Sequence, residues 1–482
     1  MGCDSSFPDR QRRRALRIIA FMPELSRRPP STFYRWAVLV FVSLAMFGNY
    51  YVYDCIEPIA DLLSKQLGFS DSNIGLLQAI YSFPNIFMVL VGGYLVDRLG
   101  ARKAIFLFGS TCLIGASVTV LSGTPPGSAI EHLVMALMSL VAAIGHLFGW
   151  TMPVPSGTLL VMATGRLIFG IGAESLIVAV TTAIAKWFRG KELSFAFGIN
   201  LMIARAGTLL AQRSPSWARS AYTTWRTPLL ISVGFATFCV IGALIYWGME
   251  VYAERKFELG HAGPTDKVVF NDLFHFGVSF WYIVALCVVF YSAIFPFETF
   301  AYKFFLHTHG TPLEVGGMLV GGLTMCTMFG TPLLGLFVDK IGKRALLMMV
   351  GAVLLIPVYL IMAYTHTQSA LYLPMAMMGL AFSLIPAVIW PSVAYIVPQN
   401  KLGTAYGLMT VIQNIGLFGF NLLIGWANDH GNASAANPAG YHMGMWIFSI
   451  LGLLGMLFAF LLRQRELGPH GHGLETITAG NS

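Results

Sequence analysis

Charge is scarce in this chain. Only 11% of its 482 residues are charged, whereas 56% are hydrophobic. Soluble domains carry about 25% charged residues. So little polar surface cannot cover a large protein in water, which excludes the soluble globular class and points to a polytopic membrane protein. Cysteine is sparse too. Cys3, Cys55, Cys112, Cys239, Cys287 and Cys326 show no paired spacing, and five lie in apolar runs. Neither a disulfide framework nor a zinc site is expected. No nucleophile, metal-ligand spacing or nucleotide-binding loop is seen, so no enzyme activity, cofactor or metal is expected. The net charge of +8 is no nucleic-acid signal, because the basic residues fall in short loops at membrane edges. The first apolar run, 36–53, lacks the short core and small-residue cleavage site of a signal peptide. Met1-Gly2-Cys3-Asp4-Ser5-Ser6 fits the loose myristoylation pattern. A spanning chain needs no lipid anchor, and the match is read as coincidence.

Long apolar runs are what the chain has instead. A span needs about 20 apolar residues. Runs of that kind predict spans at 36–56, 74–96, 104–122, 158–185, 194–211 and 228–249, then at 276–298, 315–338, 345–364, 370–396, 404–427 and 441–462. The expected fold is an all-α membrane protein of twelve helices in two six-helix, pseudo-symmetric bundles. A basic tail (1–35) precedes the first bundle (36–250). A polar linker (251–273) leads to the second bundle (274–462) and a short tail (463–482). A thirteenth run, Leu133 to Trp150, does not fit six plus six. It is read as part of an outer-side insertion, 124–156, lying flat or re-entering, because a full span there would invert every later loop against the charge rule.

Lysine and arginine set the orientation. With the N-terminus cytoplasmic, the tails and cytoplasmic loops hold 23 of them and the opposite side only five: Lys65, Arg213, Arg219, Arg226 and Lys303. Both termini are therefore expected in the cytoplasm. Two arginines, Arg166 and Arg205, fall inside predicted spans.

One loop occurs twice. Gly93-Tyr-Leu-Val-Asp97-Arg98-Leu-Gly100-Ala-Arg102 reappears 242 positions later as Gly335-Leu-Phe-Val-Asp339-Lys340-Ile-Gly342-Lys-Arg344. A repeat at half-length indicates two related membrane halves, an arrangement suited to moving a solute through a site between them. The glycines permit a tight turn. Asp97 can accept from a neighbouring helix's N-terminal amides or pair with Arg102, a latch that holds one conformation.

A second motif lies in the fourth span: Gly165-Arg166-Leu-Ile-Phe-Gly170-Ile-Gly172-Ala-Glu174. Gly170 and Gly172 allow another helix to approach closely. Each buried charge costs about 2.5–3.5 kcal/mol at the centre of a span. Arg166, Glu174 and Arg205 must therefore face water, a ligand or one another. Arg166 and Glu174, eight residues apart, sit about 12 Å apart along the axis and about 80° around it, poorly placed to pair.

These residues resemble the signature motifs of the major facilitator superfamily. Over 165–210 the likeness narrows to the lysosomal dipeptide uniporter branch, through Gly165–Leu176, Trp187-Phe188-Arg189-Gly190-Lys191-Glu192-Leu193 and Met202-Ile-Ala-Arg205. Tyr81-Ser-Phe-Pro-Asn85, Phe295-Pro-Phe297, Trp390-Pro391-Ser-Val-Ala394, Leu402–Gly407 and Gln413-Asn414 agree with it as well. The resemblance implies uniport of dipeptides down their gradient. A carboxylate in the fourth span, here Glu174, would hold the peptide's α-amino group. An arginine in the fifth, here Arg205, would hold its terminal carboxylate. The chemistry is coherent, since a dipeptide's end charges lie little more than one 3.8 Å residue step apart, a length that groups on adjacent helices can bracket. The resemblance also implies a glycosylated accessory subunit and a lysosome-like membrane. The residues fit a plasma membrane equally, and a monomeric transport unit is expected.

Other polar residues in the spans complete the candidates. Arg166, Asn85, Gln413 and Asn414 could contact substrate or a neighbouring helix, and Tyr291 and Trp390 could form a pocket wall. Asp54, Glu57 and Glu298 are candidate proton sites. Glu298 departs from the branch, which is apolar there. Pro386 and Pro391 should bend the tenth span, as a gate would need. Two alternatives remain open: a proton-coupled carrier of organic anions or peptides, and a non-transporting receptor on the same fold. The latch makes a prediction: Asp97→Asn should slow transport more than it weakens binding, as read by uptake rate against Kd, and equal loss in both would contradict it.

Overall fold

The computed structural model describes residues 30–147, 155–188, 192–257, 276–469 and 471–478. The myristoylation match, most of the basic tail, most of the linker and residues 148–154 of the insertion lie outside them. Besides the helix of the insertion, twelve long helices follow in order among the described residues: α1 (Thr32–Asp54), α2 (Asp71–Leu99), α3 (Ala101–Val120), α4 (Gly157–Phe188), α5 (Leu193–Gln212) and α6 (Arg226–Lys256), then α7 (Val278–His309), α8 (Leu313–Ile341), α9 (Arg344–Tyr364), α10 (Tyr372–Ile396), α11 (Leu402–His430) and α12 (His442–Glu466). Eleven are long and apolar enough to cross a membrane, and α2, bent by 55° after Val89, makes a twelfth. Local chemistry sets several ends. The Ser31 hydroxyl accepts from the Tyr34 N–H at 3.2 Å and caps α1, and Ser70 caps α2 through the Asn73 N–H at 3.3 Å.

The first span does not stop at Asp54. After a break it resumes as a short turn, Glu57–Ile59, and a helix, Ala60–Leu67. Pro58 lacks an N–H and restricts the residue before it, which weakens the helical ladder at the break. The break leaves backbone carbonyls inside the membrane that need other donors.

The two halves carry matching contacts. In the first, α3 and α2 pack on α4, and α1 packs on α5 and α6. In the second, α9 packs on α12 and α10, α8 on α10, and α7 on α11 and α12. The halves meet through α2 against α11 and α5 against α8. These pairs exchange when each element is shifted by six, as the repeated loop foretells. The close approach expected at Gly170 and Gly172 is present. A Cβ at Gly170 would collide with the Tyr81 carbonyl, and one at Gly172 would sit 2.8 Å from the Phe108 carbonyl oxygen.

The ends that the charge rule assigns outside are sealed. A single buried apolar cluster joins Tyr51, Ile56, Ile59, Leu63, Ile74 and Leu77 of the first half to the core of the second. Polar contacts cross there too. Lys303 of α7 pairs with buried Asp71 of α2 and donates to the Ser64 hydroxyl at 2.9 Å. The Asn428 amide donates to Asp71 at 2.9 Å, and the Asp429 carboxylate accepts from the N–H groups of Asp71 and Ser72 at 2.8 Å each. His307 bridges Asp61 (2.9 Å) and the Tyr441 hydroxyl (2.8 Å).

The insertion holds a 23-residue helix, Pro125–Leu147, that packs on α4 with Leu133, Leu137 and Leu140 exposed. The C-terminal stretch from 463 is helical at first and then packs back on the protein. Helix α12 runs on to Glu466, and residues 471–478 fold back onto the start of α9. There the N–H groups of Lys343 and Arg344 donate to the carbonyls of Glu475 (3.2 Å) and Leu474 (3.0 Å).

The buried Lys303–Asp71 ion pair makes a prediction. Lys303→Met should strand the Asp71 charge and cost about 3–5 kcal/mol. The double variant Lys303→Met with Asp71→Asn should recover most of it. Thermal unfolding of the purified protein reads both, and a single variant as stable as wild type would contradict the seal.

Candidate functional site

Helices α1, α2, α4 and α5 of one half face α7, α10 and α11 of the other around a cavity of about 290 Å³. Its size is near the lower end for ligand pockets and suits a small solute. Seven of the singled-out residues line it: Asp54, Glu174, Arg205, Tyr291, Trp390, Gln413 and Asn414. The candidates that carry charge and the candidate wall thus come from both halves to one space.

Glu174 and Arg205 make no ion pair with each other or with any other described residue. Glu174 accepts from the Tyr81 hydroxyl at 3.4 Å. The Arg205 guanidinium lies over the rings of Tyr50 (5.7 Å) and Phe382 (5.9 Å). Tyr50 lies within electrostatic reach of Arg205, Glu174 and Asp54 at once, which places the three charges around one aromatic ring. Charges left unpaired inside a membrane persist only where water or a ligand meets them. The opposite wall is organised by hydrogen bonds. Trp390 donates to the Tyr291 hydroxyl at 2.9 Å, and Tyr291 stacks on Phe295 with ring centres 5.8 Å apart. Asn414 donates to the Thr410 carbonyl at 3.0 Å.

Arg166 is elsewhere. It is 1% exposed and does not line the cavity. Its Nη1 donates to the Val52 carbonyl at 3.0 Å, its Nη2 to the Tyr53 carbonyl at 3.3 Å and to the Gln78 side chain, and its Nε to the Leu77 carbonyl at 3.3 Å. The Val52 and Tyr53 carbonyls are the ones freed by the break before Pro58. With four of five guanidinium donors committed, Arg166 ties α1, α2 and α4 together and leaves substrate to others. Asn85 is also behind the wall, with its amide 3.5 Å from Asn414 across the halves. Glu57 and Glu298 are buried outside the cavity. Pro386 and Pro391 lie inside an unbroken α10, the second next to Trp390.

The two loop copies differ in their partners. Arg344 donates to Asp339 at 3.0 Å and to the Ile477 carbonyl at 2.6 Å, under the Tyr395 ring. Arg102, its counterpart, pairs with Glu254 of α6 at 2.8 Å. Asp97, Arg98 and Lys340 lie exposed at the loop surface.

Sequence reasoning missed part of the lining: Asn49, Tyr50, Tyr53, Tyr81, Ile177, Thr208, Phe295, Thr410 and Leu417. Tyr81 and Phe295 stood inside motifs quoted for the resemblance, a signal that was present. Tyr50 and Thr208 carry none, since tyrosine and threonine are ordinary in spans.

A profile of the Major Facilitator Superfamily matches residues 42–421 and 300–478. The lysosomal dipeptide transporter MFSD1 of Danio rerio is 30% identical over 400 residues, covering 81% of this chain and 79% of its own. The protein of the same name from Homo sapiens is 28% identical over 456 residues, covering 91% and 89%. Among solved structures, a bacterial homolog of the human lysosomal transporter Spinster, inward-facing and unoccupied, superposes with a TM-score of 0.68 at 18% identity, covering 90% of this chain and 98% of its own.

Because Arg166 holds backbone and not solute, Arg166→Leu should lower the yield and melting temperature of the protein. The fraction that folds should bind ligand with unchanged Kd. A stable variant with selectively lost binding would return Arg166 to the ligand.

Proposed function

The chain belongs to the major facilitator superfamily, and on that premise we propose that it carries dipeptides across a membrane by alternating access. The names of its relatives give the substrate class. The observation that carries the reading is the pair of unpaired, opposite charges, Glu174 and Arg205, lining one small cavity on adjacent helices. In this reading Glu174 takes the α-amino group and Arg205 the terminal carboxylate. Tyr81 holds the Glu174 carboxylate in place, and Tyr50 and Phe382 hold the guanidinium plane. Fixing both ends selects for length. A free amino acid brings its two charges closer together than a dipeptide does, and a longer peptide sets them farther apart. The aromatic wall of Tyr291, Phe295 and Trp390 offers side chains apolar contact without a specific donor pattern, so selectivity by side chain should be broad.

The sealed outer face supports alternation. Its contacts join opposite halves and must all part when the cavity opens outward, as rocking of one half against the other requires. Three buried carboxyls near the cavity favour the proton-coupled alternative over the uniport implied by the resemblance. A lysosome-like membrane and an accessory subunit belong to this proposal through the relatives alone.

Removing one partner of a desolvated charge contact costs about 2–5 kcal/mol. Glu174→Gln and Arg205→Ala should therefore each weaken binding of Ala-Ala by about 30-fold or more, in purified protein that still melts cooperatively. Ala-Ala blocked at its amino end should bind poorly to wild type and lose little more in Glu174→Gln. Wild-type binding by either variant, or simple carboxylates that compete where dipeptides do not, would reject the substrate. Uptake into liposomes holding the pure protein separates a carrier from a receptor, which binds without flux.

A further inference from the structure

The two copies of the repeated loop have different neighbours at the end that the charge rule assigns to the cytoplasm. In the first half, α6 answers the loop: Glu254 pairs with Arg102 at 2.8 Å and lies 3.9 Å from Lys186 of α4. In the second half, α12 turns its last carboxylate elsewhere. Glu466 accepts from the Ser279 hydroxyl of α7 at 2.7 Å and from the His472 N–H at 2.7 Å, which starts the chain on its way back. What meets the second loop copy is the segment beyond α12.

Residues 471–478 lie across the first turn of α9. Leu474 is wholly buried in the apolar core. The Glu475 carboxylate accepts from the Leu346 N–H at 3.0 Å and lies 3.8 Å from the Arg463 guanidinium. The first amides of a helix have no partner within it, and α9 has no side-chain cap of its own. The N–H groups of Lys343, Arg344 and Leu346 are all met by this segment, Glu475 standing 129 residues beyond Leu346. A carboxylate there also suits the positive end of the helix dipole. The segment supports the turn as well. Lys343 has φ +47°, a left-handed conformation uncommon outside glycine. A Cβ on Gly342, at φ +70°, would crowd the Ile477 carbonyl oxygen at 3.1 Å. The attachment is near balance: one leucine side chain and a few hydrogen bonds are set against the ordering of a short chain, and the two are of similar size. Such a segment docks reversibly.

We propose that residues 471–478 are a reversible clasp, and that Glu475 is a positioning residue for the switch between faces. Docked, the clasp holds the second loop copy and the first turn of α9 in the shape that meets the first half when the cytoplasmic side closes. Undocked, the turn loses its caps and the left-handed Lys343 backbone relaxes. Cytoplasmic closure becomes less favourable, and the population shifts toward the state in which the outer face is sealed. The contacts of the clasp named above are all to the second half, and none of its residues lines the cavity. It acts on the switch and not on the solute.

The role of the clasp rests on alternation between faces and not on the dipeptide reading, so hydrogen exchange of the purified, full-length protein tests it without a solute. Leu474→Asp removes the buried anchor. Glu475→Gln keeps the anchor and removes the charge, which covers poor folding of the first variant. The amides of Lys343, Arg344 and Leu346 should exchange about tenfold faster in Leu474→Asp and about threefold faster in Glu475→Gln. The N–H groups of Asp71 and Ser72, held by Asp429 across the outer seal, come free when the outer face parts. They should exchange about threefold slower in both variants. The opposite signs are decisive, because general loosening would speed both sites. Unchanged exchange at Lys343, Arg344 and Leu346 in both variants overturns the clasp. Unchanged or faster exchange at Asp71 and Ser72 overturns its role in the switch. Wild-type exchange at Asp71 and Ser72 as slow as that of the deepest core amides would reject alternation itself, and the positioning role with it.

Discussion

The break in the first span is the constraint from which the rest of the site follows. Pro58 interrupts the helix, and a membrane interior supplies no water to the carbonyls that the break exposes. Arg166 answers them: its guanidinium binds the carbonyls of Val52, Tyr53 and Leu77 and the side chain of Gln78. A flat fork with five donors is one of the few groups able to meet several carbonyls at once. The rings of Tyr53, Tyr81 and Phe169 surround it at 5.3–5.9 Å. Two of those tyrosines also line the cavity. The scaffold that satisfies the broken helix therefore sets the position of the wall that meets the ligand. The same break turns Asp54 toward the cavity and Glu57 toward α7.

The charges in the spans divide by whether the protein answers them. Arg166 is answered by carbonyls and a glutamine side chain, and Lys303 and Asp71 by each other, with the Asn428 amide on Asp71, and they hold the structure. Glu174 and Arg205 are left to the cavity. Asp54 shares that cavity, and Glu57 lies outside it with the Gln212 amide at 3.5 Å. One rule, that a buried charge must be met, thus separates scaffold from ligand site without reference to any relative. The two halves, alike in packing, diverge in their details: Arg344 closes on Asp339 and on the folded-back C-terminus, whereas its counterpart Arg102 closes on α6.

Much of this was legible beforehand. Span positions agree with the observed helices to within a few residues at most ends, because about 20 apolar residues in a row admit few other structures. The exceptions are longer helices at polar ends. Helix α7 continues past 298 to His309, carrying Lys303 inside the protein, where Asp71 and Ser64 of the other half meet it. The close helix approach at Gly170 and Gly172 was also readable. The role of Arg166 was not, since a basic residue in a span reads the same whether it meets a ligand or three carbonyls. Nor was the docking of 471–478, whose composition is that of an ordinary polar tail.

By itself, then, the sequence determined the class, the number of spans, the twofold repeat and the identity of the charges that demand explanation, because all of these follow from local hydropathy and spacing. Which charges share a space was decided only by the tertiary structure. Glu174 and Arg205 are 31 positions apart and Asp71 and Lys303 are 232 apart. Burial cost acts on the distance between groups in the fold, a quantity that no one-dimensional pattern contains.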